Sequence, residues 1–186
     1  RERFAEIARR ADEEINLAEA ALWLAAENCP ELQVDAYLEK LDRIADSILP
    51  ALQGVGLLAH QVDVLNRELF GVHGFHGARN DYYDPRNSFL NEVMDRKTGI
   101  PISLSVLYIE VARRVGLDAA GMNFPGHFLT RVGEDPIIVD AFEGRSPHRA
   151  NAKPDSSPRS GRTRKSRPRC WPPRTTSQSC CGCCPI

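Results

Sequence analysis

The sequence lacks long apolar runs and an excess of charge of either sign. No stretch approaches the roughly 20 consecutive apolar residues of a membrane-spanning helix, and residues 1–10 are amphipathic and charged rather than signal-like. We therefore expect a cytoplasmic protein with no membrane partner. The formal net charge of -1 argues against nucleic-acid binding driven by the charge of the whole chain. Because the chain begins with Arg1 rather than Met, we expect a few natural residues before it.

Cysteine is nearly absent from the first three quarters of the chain. Cys29 is the only cysteine of residues 1–144, and the other five of the six lie between Cys170 and Cys184. The first 144 residues therefore need no disulfides. Charge divides at the same border, because residues 1–144 hold 24 acidic and 14 basic side chains, whereas residues 145–186 hold 10 basic and one acidic. The sequence is an acidic globular body followed by a basic tail.

Periodic apolar residues predict the elements of the body. Helical spacing predicts helices over 12–27, 34–52 and about 57–70, and Ser88 can cap a short helix that runs to Lys97. The segment from Pro101 to Val115 is apolar on most sides, which predicts a buried central helix with proline in its first turn. Three strand candidates follow, with a turn over Gly133–Asp135 between the last two. They are Ala119–Phe124, His127–Val132 and Pro136–Phe142.

These elements predict three regions. Residues 1–56 form a helical N-terminal subdomain packed on a core of residues 57–144. Residues 145–186 hold seven Pro, seven Ser and eight Arg with almost no aliphatic side chains, so we expect disorder there. Its arginines could attach to phosphates, which would make nucleic acid a partner only if this tail is genuine. We favour the other interpretation, that a shifted reading frame produced the abrupt change in composition.

A histidine and an aspartate could meet on the predicted sheet. His127 begins one strand candidate and Asp140 lies near the end of the next, so a hairpin could bring the two side chains into a hydrogen bond. A carboxylate that orients a histidine is the base half of a catalytic triad. Equally, the pair could hold two strands together. The nucleophile of such a triad would lie at the start of the buried helix, but no cysteine is there.

Several motifs resemble the N-terminal domain of bacterial SirB-type proteins, a branch of the transglutaminase-like superfamily. The motifs are Leu65-Asn66, Leu69-Phe70, Gly74-Phe75, Asp81-Tyr82-Tyr83-Asp84-Pro85-Arg86-Asn87-Ser88-Phe89-Leu90, Thr98-Gly99-Ile100-Pro101-Ile102 and Phe124-Pro125-Gly126-His127-Phe128-Leu129. The resemblance implies an α+β fold, in which N-terminal helices pack on a papain-like core with a central helix and a small antiparallel sheet. It also implies a nucleophile at the start of that helix, followed by His and Asp on adjacent strands.

Carried over residue by residue, the resemblance places His127 and Asp140 on the superfamily's His and Asp, and Pro101 on its nucleophilic Cys. Proline cannot be a nucleophile. Ser105 lies about 40° from Pro101 around the helix and Ser103 about 160°, so only Ser105 shares the expected active face. Two hypotheses remain open. One is a degenerate enzyme or non-enzymatic module that binds a protein or peptide, and the other is a hydrolase or acyl-transfer enzyme that uses His127 and Asp140 with Ser105 or an activated water.

A polar loop before the central helix is the second candidate site. Its polar and aromatic side chains could form the rim of a binding pocket, although the two tyrosines could instead anchor the loop through their rings. The loop residues are Asn80, Asp81, Tyr82, Tyr83, Asp84, Arg86 and Asn87. His73 and His76, which lie nearby, have a spacing too common to indicate a metal site. We therefore predict no metal and no cofactor.

Overall fold

The computed structural model describes residues 2–11, 14–144 and 148–149. The predicted disorder of the tail and its proposed origin in a shifted reading frame concern residues 145–186. All of these except 148–149 lie outside the described residues. Residues 148–149 form a short strand, so the prediction of disorder is wrong for these two.

Helices make up the first half of the described chain. The second begins later than the predicted residue 12, because the Asn16 side chain accepts a hydrogen bond from the Glu19 backbone N–H at 2.9 Å and so caps it. The third has the predicted bounds. The helices are α1 (Glu2–Ile7), α2 (Leu17–Ala26), α3 (Val34–Leu52) and α4 (Leu58–Asn66), and a π-helical turn (Arg67–Val72) continues α4. None of the described helices has both the length and the hydrophobicity needed to cross a bilayer.

The middle of the chain holds a short parallel ladder that the sequence did not predict. Strand β1 (His76–Gly77) pairs with β2 (Thr98–Gly99). Between them lie a 3-10 turn (Pro85–Ser88) and helix α5 (Leu90–Arg96). The prediction that Ser88 caps α5 is wrong, because Phe89 precedes the helix and gives no side-chain cap.

Helix α6 (Pro101–Arg114) is the buried central helix, and it packs against an antiparallel sheet. Among the described residues, the sheet order is β3-β4-β5-β6, so β3 is its first strand. The first two strands have the predicted bounds, and the third is shorter. The strands are β3 (Ala119–Phe124), β4 (His127–Val132), β5 (Ile137–Val139) and β6 (His148–Arg149).

One hydrophobic cluster joins the N-terminal helices to the central helix and the sheet. Leu22 of α2, Leu41 of α3, Leu107 of α6 and Val139 of β5 are all buried in it. A polar contact strengthens the same junction, because the buried Glu110 carboxylate accepts a hydrogen bond from the Leu17 backbone N–H at 3.0 Å. The fold class is therefore α+β, with helices packed on a core of one central helix and a small sheet. A boundary at residue 56 stays a prediction.

Candidate functional site

A cleft of about 320 Å³ opens at the N-terminus of α6. It brings Pro101, the first residue of the helix, together with His127, the first residue of β4. Their meeting agrees with the expectation that the start of the central helix faces the histidine strand. The lining residues are Tyr82, Ile100, Pro101, Ile102, Asn123, Phe124, Gly126, His127 and Phe128.

The start of α6 is fixed by a buried serine. The Ser103 hydroxyl accepts a hydrogen bond from the Ile100 backbone N–H at 3.1 Å and donates one to the Asn87 carbonyl oxygen at 2.6 Å. Pro101 needs no partner, since the first helical residue has no intrahelical acceptor for an N–H. Ser103 therefore stabilises the start of α6 and does not line the cleft. The cleft lining contains no serine, threonine, cysteine or carboxylate.

His127 and Asp140 do not form the hydrogen bond that the sequence predicted. His127 is exposed, and no hydrogen bond or ion pair joins its side chain to Asp140 in the described part of the chain. Asp140 Oδ1 instead accepts from the backbone N–H groups of Phe142 and Glu143, both at 3.0 Å. Asp140 directly follows β5, where an aspartate commonly binds backbone N–H groups of its own turn. The carboxylate therefore stabilises the turn that ends the sheet.

Ser105 is placed away from the cleft opening. Its side chain is fully buried, it does not line the cleft, and its hydroxyl has no hydrogen-bond partner within the described residues. A buried helical serine often bonds a carbonyl of the preceding turn, but Ser105 makes no such bond in that part of the chain. One turn further along α6, burial raises the pKa of the Tyr108 phenol, whose oxygen is likewise unpartnered there. The helix face behind Pro101 is a buried core face.

The predicted loop site forms a second pocket, of about 460 Å³. Six of the seven loop residues line it: Asn80, Asp81, Tyr82, Tyr83, Asp84 and Arg86. Tyr82 lines this pocket and the cleft, so the two are neighbours. Its ring packs edge-on against Phe142 at 6.0 Å, and the ring of Tyr83 packs on it at 5.4 Å. Tyr83 remains 94% exposed.

The seventh loop residue, Asn87, holds the loop from inside. It is fully buried, and its Nδ2 donates to the Asp81 carbonyl oxygen at 2.7 Å, while its Oδ1 accepts from Arg96 at 3.2 Å. Asn87 is thus an anchor and not part of the pocket lining. Asp84 also has an internal partner, because hydrogen bonds from the Arg86 guanidinium hold the pKa of its carboxyl below the usual range.

The two loop histidines have separate partners. Nε2 of His73 lies 3.0 Å from the Ser47 hydroxyl, and Nε2 of His76 lies 3.2 Å from the Thr98 hydroxyl. Burial, and then the charge of Lys97, lower the pKa of His73. No group of three or more side chains suited to a metal occurs within the described ranges.

Part of the cleft lining lies outside the predicted site residues. Ile102, Asn123 and Phe128 line the cleft, and Asn123 and Phe128 flank the Phe124-Pro125-Gly126-His127 turn. Arg79 and Arg96 are also outside the predicted site. They line a third depression, of about 500 Å³, together with Asn80 and Asp81 of the loop. The sequence signal available for the cleft is the pair of phenylalanines, Phe124 and Phe128, on either side of the Pro125-Gly126 turn.

The sequence is similar to those of known proteins. The profile of the Transglutaminase-like superfamily matches residues 35–175. The chain belongs to this superfamily. A UPF0162 protein of Xylella fastidiosa is 38% identical over 138 residues, which are 73% of this chain and 49% of that protein. A UPF0162 protein of Pseudomonas aeruginosa is 34% identical over 129 residues, 69% of this chain and 47% of the relative.

A mammalian protein is also similar to part of this chain. F-box only protein 21 of Mus musculus is 40% identical over 91 residues, which are 48% of this chain and 14% of the mouse protein. The chain spans about half the length of the bacterial relatives it matches. No solved structure matches it significantly.

Proposed function

We propose that this transglutaminase-like domain binds a peptide in the cleft at the start of α6 and catalyses no reaction there. The observation that carries the proposal is the lining of the cleft. Pro101 occupies the position that resemblance assigns to the nucleophile, and no serine, threonine or cysteine lines the cleft. Without a nucleophile beside it, a histidine can still donate a hydrogen bond to a bound peptide or accept one from it.

The surface of the cleft suits a peptide side chain. Ile102 is 49% exposed and Tyr82 is 43% exposed, and both line the cleft. Apolar and aromatic side chains with a few polar groups are the usual lining of binding sites. Asn123 and His127 supply those polar groups. Burial of the apolar surface of Ile102 and Tyr82 by a ligand would contribute favourable free energy of binding.

The match to the mouse protein supports a module that works within other chains. The matched 91 residues are 14% of F-box only protein 21, so the similar segment is a small part of a much longer protein. Such reuse is typical of a domain whose role is carried by its own surface.

The competing hypothesis is a hydrolase or acyl-transfer enzyme that uses His127 and Asp140 with Ser105 or a water. The exposure of His127 in the cleft is the observation in its favour, since an imidazole there could activate a water. Ser105 is fully buried and outside the lining, and the Asp140 carboxylate binds its own turn. The positions of Ser105 and Asp140 therefore favour peptide binding over catalysis.

The test is a selection of binding peptides followed by matched variants. A displayed library of random 12-residue peptides is selected on the full chain, and the affinity of a synthetic copy of the enriched peptide is measured by titration calorimetry. Ile102→Asp should weaken binding at least tenfold, because it places a charge in an apolar site. Leu57→Asp, an exposed apolar residue outside the cleft, is the control and should bind as the wild type does.

Two outcomes would overturn the proposal. One is the absence of any enriched peptide. The other is covalent labelling of Ser105 by a fluorophosphonate probe that is lost in His127→Ala, which would establish the enzyme hypothesis instead.

A further inference from the structure

The depression of about 500 Å³ lies beside the β1-β2 ladder and shares no lining residue with the cleft. Two of its lining residues, His76 and Thr98, are partners in that ladder. Arg79 follows β1 by two residues, and Arg96 precedes β2 by two. The ladder therefore brings two guanidinium groups, from separate segments of the chain, to one depression.

Arg96 is held in place at this depression. Its Nη1 donates to Asn87 Oδ1 at 3.2 Å, and its Nη2 lies 3.5 Å from Asp84 Oδ2. Its backbone is fixed as well, because the Thr98 hydroxyl donates to the Arg96 carbonyl oxygen at 3.1 Å. Among the described residues, the Arg96 Nε–H has no acceptor. Arg96 is thus a positioned guanidinium with donor capacity left for a ligand.

Arg79 also keeps donors for a ligand. Its Nη2 donates to Glu143 at 3.1 Å, and in the described part of the chain its other guanidinium N–H groups have no acceptor. The Arg79 side chain is 63% exposed, and exposed ion pairs of this kind contribute little to stability. A ligand that carries more negative charge than a carboxylate can therefore replace Glu143 on Arg79.

Two backbone donors belong to the same lining. The N–H groups of Asn80 and Asp81 have no hydrogen-bond acceptor within the described ranges, and both residues line the depression. Successive backbone N–H groups of a turn can form an anion-binding concavity. The lining holds two guanidinium groups against one carboxylate, that of Asp81, so its charge is positive. This local excess contrasts with residues 1–144 as a whole, which have 24 acidic and 14 basic side chains.

We propose that this depression binds the phosphate group of a small organic phosphate monoester. Such a group carries a charge of about -1.5 to -2 at pH 7 and three strong acceptor oxygens, so it offers acceptors to both guanidinium groups and to the backbone N–H groups. The volume leaves room for the organic part, since about 500 Å³ lies within the usual range of small-molecule sites. The site is separate from the cleft, and the proposal therefore goes beyond peptide binding.

A titration of the full chain with phenyl phosphate tests the site. Amide proton–nitrogen NMR spectra, recorded at constant ionic strength near pH 7, should show saturable shifts of the Asn80 and Asp81 signals. Inorganic phosphate and benzoate are the comparison ligands, because the first lacks the organic group and the second carries a single charge on a carboxylate. Both should bind at least about fivefold more weakly than phenyl phosphate.

Three variants separate a site from a general effect of charge. Arg79→Gln should weaken phenyl phosphate at least about tenfold, because charge-assisted hydrogen bonds are lost. Arg131→Gln is the matched control, since Arg131 is also partly exposed, pairs with Asp118 at 3.4 Å and does not line the depression. Its affinity should stay within about twofold of the wild type. Glu143→Gln removes the carboxylate that competes for Arg79 and should tighten binding about threefold, an effect that a purely structural Arg79–Glu143 pair would not produce.

Each contrary result overturns a stated part of the proposal. Equal weakening by Arg79→Gln and Arg131→Gln would show attraction by net charge instead of a site. Benzoate that binds as tightly as phenyl phosphate would refute selection for phosphate, and inorganic phosphate that does so would refute the monoester. Spectra in which the Asn80 and Asp81 signals do not move would exclude the depression as the binding site.

Discussion

The Ser103 hydroxyl joins the first turn of α6 to the Asn87 carbonyl oxygen through a buried hydrogen bond of 2.6 Å. This bond connects the two parts of the candidate site, because Pro101 begins the helix and Asn87 anchors the loop that carries Tyr82. The cleft therefore has a preformed wall, and a ligand need not pay for ordering it.

The loop depends on Asn87. Asn87→Ala removes the hydrogen bonds that Asn87 makes to the Asp81 carbonyl oxygen and to the Arg96 guanidinium, so the free energy of unfolding should fall by about 1–3 kcal/mol in urea titrations. Asn80→Ala, at an exposed position of the same loop, is the control and should change stability by less than about 0.5 kcal/mol. Equal stability of the two variants would contradict the anchoring role.

A buried glutamate of α6 bonds to the start of α2 and pairs with an arginine of its own helix. Glu110 lies 2.6 Å from Arg114 and also accepts from the Leu17 N–H, and its side chain is only 4% exposed. Glu110→Gln should cost about 3 kcal/mol, at the low end for a broken buried pair, because Arg114 keeps Asp42. Asp42→Asn removes the other carboxylate that pairs with Arg114. Because the Asp42 side chain is 60% exposed, this change should lower the free energy of unfolding by less than about 1 kcal/mol in the same urea titration. The reverse order would place the stabilising contact at Asp42.

A thiol introduced at Pro101 tests whether the rest of the catalytic environment is present. In Pro101→Cys the thiol would lie at the N-terminus of α6 and in the cleft with His127, and both features favour thiolate. Its alkylation by iodoacetamide should show an apparent pKa below about 8.5, the value of a free cysteine. Peptide-resolved mass spectrometry distinguishes it from the six native cysteines.

The matched control for that variant is Pro101→Cys combined with His127→Ala. Loss of the imidazole should raise the apparent pKa of the thiol toward the free value. An unchanged pKa would show that His127 does not act on this position.

Stability should depend on pH through His73. Burial and the charge of Lys97 lower its pKa in the folded protein, so the unfolded chain binds the proton more readily. The contribution of His73 is therefore complete above about pH 6.5 and is lost as pH falls toward the lower folded value. His73→Gln should show a smaller loss of unfolding free energy than the wild type between about pH 7.5 and 5.5 in urea titrations. Identical slopes for the two proteins would contradict it.

Much of the fold could be predicted because its signals are local. The bounds of α3 follow from buried residues at helical spacing, Leu41, Ile44 and Ile48. The bounds of β3 and β4 follow from the Pro125-Gly126 turn, where Gly126 has a φ of 79° that glycine adopts readily. The β1-β2 ladder could not be predicted, because two-residue strands have no periodicity and their pairing depends on tertiary packing.

The site was predictable only in part. Pro101 and His127, which the resemblance assigns to one site, both line the cleft. The hairpin pattern does not reveal the role of Asp140, because its carboxylate bonds to backbone N–H groups of its own turn. An aspartate that directly follows a strand and precedes Ala141-Phe142-Glu143-Gly144 is a good candidate for a turn cap. Asn87 was misassigned because burial of a polar side chain depends on contacts that the sequence does not reveal.

Gly77 determines the shape of the cleft from outside it. A Cβ atom at this position would lie 2.6 Å from the Phe142 carbonyl oxygen and 2.7 Å from its ring, so any larger residue must displace Phe142. Phe142 supports the ring of Tyr82, which is part of the cleft wall. The absence of a side chain at Gly77 thus lets Phe142 support Tyr82 in the cleft wall. A substitution at this position in a related chain could therefore change which ligand its cleft prefers, although Gly77 does not line the cleft.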